Sequence, residues 1–205
     1  RPASDRVVHA DRTRSDGTTG AMHAHCAVEA PGSGVIYVAD LGNDEIHLYR
    51  IDEDSGAFVP DGSVVTGDHT GPRHLAVTPD GRTLYANMER GNTVQFYRVA
   101  SDGALELAGE RPTLPADYTG RNSTAGMLLH PSLRWVLVSN RGHDSLAVFP
   151  VDPQTGAPGA PAWTPCGGRT PRSIALSPDG SILAVANQES DRVNLFVFDA
   201  VSGSL

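Results

Sequence analysis

A single unit, repeated along the chain, constrains the fold more tightly than any other feature. The stretch GPRHLAVTPDGRTLYANMERGNTVQFYRV, from Gly71 to Val99, returns in recognisable form three more times. Each copy has a polar residue closing its second apolar run: Asp40, Asn87, Asn140 and Asn187, separated by 47, 53 and 47 residues. The order inside each unit is constant: a short apolar run, a turn, a second apolar run, a polar loop, an alternating run, and a glycine turn. That order reads as four short strands, and the period lies in the range of propeller blades rather than of helical repeats.

Turn chemistry supports the strand assignment. Pro79-Asp80-Gly81 and Pro178-Asp179-Gly180 place a residue with a preset dihedral and one that accepts a positive φ between the first and second strands. The segments Thr93–Val99, Ser145–Val151 and Arg192–Phe198 then alternate with period two, as a sheet with unlike faces requires. Ser55-Gly56, Ser101-Asp102-Gly103 and Thr155-Gly156 separate the third strand from the fourth. No window reads as a long helix. Four-stranded antiparallel sheets repeated in this way bury their faces by packing radially, so an all-β propeller is expected in preference to a β-sandwich.

The blades fall at about 22–66, 71–111, 125–163 and 170–205 within one propeller domain. Residues 1–20 form a polar lead-in whose only apolar nucleus, Val7-Val8-His9, is expected to supply one outer strand. A polar insertion, Ala116–Thr124, accounts for the longer middle spacing. The chain lacks an initiator methionine and stops where the fourth strand of its last unit belongs, so a fragment of a longer propeller is expected, with self-association as one way to cover its open edge.

With 39 % hydrophobic residues, 22 glycines and 15 prolines in 205 residues, the chain is an ordinary folded β-rich protein. No apolar run is long enough to span a membrane and no secretory leader is visible, so a cytoplasmic protein without a membrane partner is expected. A net charge of −8 argues against a nucleic-acid partner while leaving room for a small anion held by local arginines. Cys26 and Cys166 cannot define a disulfide framework and read as packed or pocket-side thiols.

Blade topology places strand-one entries and strand-two exits on one face of the disc. His23, His25, Arg73, His74 and Arg172 therefore share a face with Asp40, Glu89, Arg141 and Asn187. Converging arginine, histidine and carboxylate groups suit an anionic substrate, because the guanidinium fork matches carboxylate and phosphate oxygens. Asp40, Asn87, Asn140 and Asn187 recur in every unit and read as loop caps. His74 and Arg172 read equally well as hydrogen-bonding groups between blades. His9, His47, His69, His130 and His143 read as surface or packing histidines. His23-Ala24-His25 lacks a neighbouring carboxylate or cysteine, so neither a metal nor any cofactor is expected.

The motifs His23-Ala-His25, Asp40-Leu-Gly42, Gly71-Pro-Arg-His74, Asn87-Met-Glu89, Ser139-Asn-Arg-Gly-His-Asp-Ser145 and Thr170-Pro-Arg172 resemble those of the seven-bladed propeller lactonases, the 6-phosphogluconolactonase group. The resemblance runs from about Met22 to Leu205, whereas the preceding Thr19-Gly20-Ala21 differs from the Arg-Gln-containing lead-in of those lactonases. It implies a seven-bladed ring of which this chain supplies four blades. It also implies hydrolysis of a small anionic lactone in the pentose phosphate route, or the related chemistry of carboxy-muconate lactonising enzymes. Family positions match His25, Arg73, Glu89 and Arg141. On that basis Glu89 or His25 is the expected base and His74 a proton shuttle or an orienting group for Glu89. Arg73 and Arg141 hold the anion and the developing oxyanion, with Arg172 and His23 as further substrate contacts. There is no Gly-x-Ser-x-Gly elbow, phosphate loop or dinucleotide fingerprint. A non-enzymatic interaction platform is the remaining alternative, since fold does not fix function.

Overall fold

The computed structural model describes residues 5–205, and its strands form four antiparallel sheets, each a meander in chain order. The first blade holds β1 (Ala24–Glu29), β2 (Ile36–Asp40), β3 (Glu45–Ile51) and β4 (Phe58–Val65). The second holds β5 (Pro72–Val77), β6 (Thr83–Met88), β7 (Thr93–Val99) and β8 (Leu105–Pro112). The third holds β9 (Ser123–Leu129), β10 (Trp135–Arg141), β11 (Ser145–Pro150) and β12 (Ala162–Pro165). The fourth has three strands, β13 (Pro171–Leu176), β14 (Ile182–Asn187) and β15 (Arg192–Val197). Helix among the described residues is confined to one 3-10 turn, Gln188–Ser190. None is long and apolar enough to cross a membrane.

The Pro-Asp-Gly turns act as the sequence suggests. Gly180 has φ +76°, and a Cβ there would sit 2.3 Å from His130 Nε2 on the neighbouring blade. Glycine is thus required both by the turn and by the approach of the next sheet. His130 is buried and its ring stacks on Phe198 at 4.8 Å, so it is a packing histidine.

The apolar core lies between blades rather than within them. Tyr37, Ile46, Leu75, Leu84 and Tyr97 join the first and second blades. Tyr85, Phe96, Met127, Val136 and Phe149 join the second and third. Trp135, Leu146, Ile174, Leu183 and Val185 join the third and fourth. At each seam an aromatic side chain near the start of strand two reaches a carbonyl in the turn after strand three of the following blade. Tyr37 Oη donates to Gly103 O at 2.7 Å, Tyr85 Oη to Gly156 O at 2.8 Å, and Trp135 Nε1 to Ala200 O at 3.0 Å. Each ring buries its apolar body in the seam and spends its polar tip on a fixed acceptor, which sets the register between blades. Both cysteines are free, and burial raises both thiols above their usual pKa.

Residues 5–20 depart from the expectation of an outer strand. They contain only an isolated bridge between Thr13 and Thr19, and Val8 is two-thirds exposed. Charge directs this segment instead. Arg14 Nε pairs with Asp44 at 2.6 Å and Arg12 Nη2 with Asp68 at 2.7 Å, which draws the lead-in across the loops at the mouth of the first blade.

Candidate active site

In all four blades the innermost strand carries one extra residue relative to its partner. The register slips between Ala24 and Cys26, between Pro72 and Leu75, opposite Ser139, and between Pro171 and Ser173. The bulged positions are therefore His25, Arg73-His74, Ala125-Gly126 and Arg172. A bulge twists the strand and re-aims a side chain, and it leaves backbone groups outside the ladder. In the second blade the cap residue accepts an amide from within the bulge, and in the first the cap accepts the amide of the residue just before β1. Asp40 Oδ1 takes the His23 amide at 2.8 Å, and Asn87 Oδ1 takes the His74 amide at 2.9 Å. The caps and the site residues form one device.

The bulge of β5 and the strand-two exits of the second and third blades bring Arg73, Glu89 and Arg141 together. Glu89 Oε2 lies 2.8 Å from Arg73 Nε and 3.0 Å from Arg141 Nη2, so one carboxylate oxygen is shared by two guanidiniums. The Arg73 Nε–H is not aimed at that oxygen, which makes the contact electrostatic rather than a directed hydrogen bond. Backbone carbonyls of the third blade fix both arginines: Arg73 Nη1 donates to Ala125 O at 2.6 Å and Arg141 Nη2 to Thr124 O at 2.8 Å.

His74 is held on both sides. Its Nε2 faces Arg73 Nη1 at 2.9 Å and its Nδ1 faces the Met127 amide at 3.3 Å. Burial, with Arg73 and His25 beside it, pulls its pKa down to about 4. Both neighbours are N–H donors and a neutral imidazole has one acceptor nitrogen, so one of the two contacts is a hydrogen bond and the other a close approach. His25 stands 5.4 Å from His74 ring to ring, and burial followed by the Arg73 charge lowers its pKa as well. Its Nδ1 has no hydrogen-bond partner among the described residues. Among the described residues three buried nitrogens of this cluster lack hydrogen-bond partners: Arg73 Nε, Arg141 Nε and His25 Nδ1. Buried polar atoms are ordinarily paired, so this concentration of unpaired ones sets the cluster apart.

Two further site residues predicted from sequence lie toward the rim. His23 is exposed and touches the cluster through His25, at 5.8 Å between rings. Arg172 is exposed and lines a cleft of about 490 Å³ together with Arg73, His74, Gln188, Asp191 and Arg192. The last three were not anticipated. Their positions follow the fourth cap, Asn187, at the strand-two exit that the topology had already placed on this face. Asp191 also belongs to a series of left-handed residues, Asp44, Asn92, Asp144 and Asp191, with φ of 59°, 56°, 53° and 49°, one at the same loop position of every blade.

The family model described as "Lactonase, 7-bladed beta-propeller" matches residues 2–205. The chain belongs to the seven-bladed propeller lactonases. Among curated relatives, an uncharacterised protein of Lactococcus lactis subsp. cremoris is 32 % identical over 185 residues, covering 89 % of this chain and 53 % of that protein. Among solved structures, a Lactobacillus plantarum protein superposes with a TM-score of 0.85 at 28 % identity, over 95 % of this chain and 62 % of that one. A periplasmic gluconolactonase of Pseudomonas aeruginosa gives 0.80 at 29 %, over 95 % and 60 %. A putative 6-phosphogluconolactonase of Bacteroides fragilis gives 0.81 at 25 %, over 95 % and 61 %. The chain thus spans little more than half the length of the curated relatives it matches.

Proposed function

We propose that the protein is a lactone hydrolase of the 6-phosphogluconolactonase type, acting on a small anionic lactone at the channel mouth. The observation that carries this reading is the set of unpartnered buried nitrogens on Arg73, Arg141 and His25 around a single carboxylate. Membership of the lactonase family and the likeness to two lactonase structures support it.

Lactone opening needs a base for water, donors for the oxyanion and an acid for the departing ring oxygen. His25, neutral at physiological pH, takes a proton from water as the oxygen adds to the lactone carbonyl. The two guanidiniums donate to the phosphate or carboxylate of the substrate and to the oxyanion that develops. The imidazolium then returns its proton to the ring oxygen as the C–O bond breaks, which leaves a hydroxy acid. Glu89, between the two arginines, keeps both forks at one spot, so the base role falls to His25.

The test is hydrolysis of 6-phosphogluconolactone and carboxy-muconolactone, assayed side by side, in the wild type and in His25→Ala. Turnover of one lactone that is lost in the variant, with the fold intact, establishes the enzyme and its substrate class. Turnover unchanged in His25→Ala removes the base assignment, and a folded protein idle on both lactones is a binding propeller.

A further inference from the structure

A second polar cluster lies at the mouth of the first blade, away from the arginine site. His9 of the lead-in, Asp40 at the end of β2 and His47 on β3 bring one ligating atom each to within 4.8 Å of one another. Glu45, two residues before His47 and so on the same face of β3, adds a carboxylate. His9 Nδ1 lies 2.5 Å from Asp40 Oδ2, and His47 Nε2 lies 3.8 Å from the same oxygen and 3.4 Å from Glu45 Oε2. The two imidazoles are tilted by 34° to one another with ring centres 3.8 Å apart. His47 Nε2 is buried and has no hydrogen-bond partner among the described residues.

We propose that His9, Asp40, Glu45 and His47 form a structural site for a divalent transition-metal ion of the zinc type. Zinc accepts imidazole nitrogen and carboxylate oxygen at about 2.0–2.2 Å in a tetrahedron, whose ligand atoms then stand about 3.3 Å apart. The two separations from His47 Nε2 already approach that value. The short contact from His9 to Asp40 opens to it through a movement of His9, which is carried by an irregular segment rather than a strand.

The shell around the cluster is built for this role. Asp40 Oδ1 is committed to the amides of His23, Gly42 and Asn43, while Oδ2, which also accepts from Asn43 Nδ2 at 3.2 Å, faces the histidines. Arg12 approaches the other oxygen of Glu45, Oε1, at 3.9 Å, and leaves Oε2 to the cluster. Four protein ligands leave no open position. The ion therefore fastens residues 5–20 to the first blade and does no chemistry on substrate.

The experiment is a titration of the metal-depleted, tag-free protein with cobalt(II), followed by displacement with zinc. The expected result is one equivalent bound, with the strong visible absorption of four-coordinate cobalt. Zinc should also raise the melting temperature and protect the lead-in from proteolysis. His47→Ala, or the bulkier His47→Gln if that variant is unstable, loses the cobalt spectrum and both zinc effects, while His25→Ala keeps them. A folded wild type that binds no cobalt overturns the proposal. So does binding that persists without His47, or binding lost in His25→Ala, which would place the ion among His23, His25 and His74.

Discussion

Two carboxylates in this molecule each stand between two arginines, and they have opposite characters. Asp44 receives Arg14 at 2.6 Å and Arg90 at 2.9 Å, together with the amides of Gly71 at 2.8 Å and His69 at 3.0 Å. Burial alone would raise its pKa, yet hydrogen bonds from Arg14, Gly71, Arg90 and His69 outweigh burial and hold it below the usual carboxylate range. Every acceptor position on Asp44 is spent inside the protein. Glu89 also receives two arginines, but through one oxygen, with its side chain 22 % exposed and the Nε–H groups of both partners unmatched. Charge pairing looks the same in a list of contacts. Completeness of hydrogen bonding separates a joint that closes the fold from a mouth that waits for a ligand.

The largest test of that contrast is Asp44→Ala. It strips the partner from the nearly buried Arg14 and from two backbone amides, so unfolding in urea should show a loss of about 3–5 kcal/mol. An unchanged denaturation midpoint would mean that the joint is incidental. Arg73→Ala acts on the other triad. It should lower kcat/KM for the lactone on the order of 10²–10³-fold, as removal of an oxyanion donor does, with the circular dichroism spectrum retained.

His74 sharpens the comparison through pH. Its folded pKa of about 4 lies below the ordinary histidine value of 6.5, so the unfolded chain binds more protons between those limits. Stability is therefore full above pH 6.5 and declines as pH falls toward 4, by roughly 1–2 kcal/mol between pH 7 and pH 5 after allowance for partial exposure. Urea titrations at the two pH values should show the slope in the wild type and its flattening in His74→Gln. Glu89→Gln should cost less than Asp44→Ala in the same urea assay, because it keeps an acceptor oxygen between the two arginines and the Glu89 carboxylate has no backbone-amide contact among the described residues to lose. A loss comparable with that of Asp44→Ala would erase the distinction.

The propeller was legible because its period and its Pro-Asp-Gly turns are local features of the chain. The convergence of Arg73, Glu89 and Arg141 was legible for the same reason, since topology assigns strand-one entries and strand-two exits to one face. Strand-one bulges were not. One extra residue leaves no mark in an apolar pattern, and only the register against strand two reveals it. The Asp44 joint and the His9 cluster were hidden by distance, because Arg14 and Asp44 are 30 residues apart and His9 and Asp40 are 31 apart. The lead-in strand failed because three apolar-leaning residues cannot outweigh two arginines with buried or semi-buried carboxylates in reach.

The blade seams carry a consequence for how such a molecule can change by duplication or exchange of its parts. His25 belongs to the first blade, Arg73 and Glu89 to the second, and Arg141 to the third. The aromatic hooks that join blades are alike at three successive seams, with Tyr37, Tyr85 and Trp135 performing one task. A chimera that replaced the second blade with a copy of the third would keep an aromatic hook, Trp135, and lose Arg73 and Glu89 together. Descendants of such an exchange would inherit the ring and none of its chemistry.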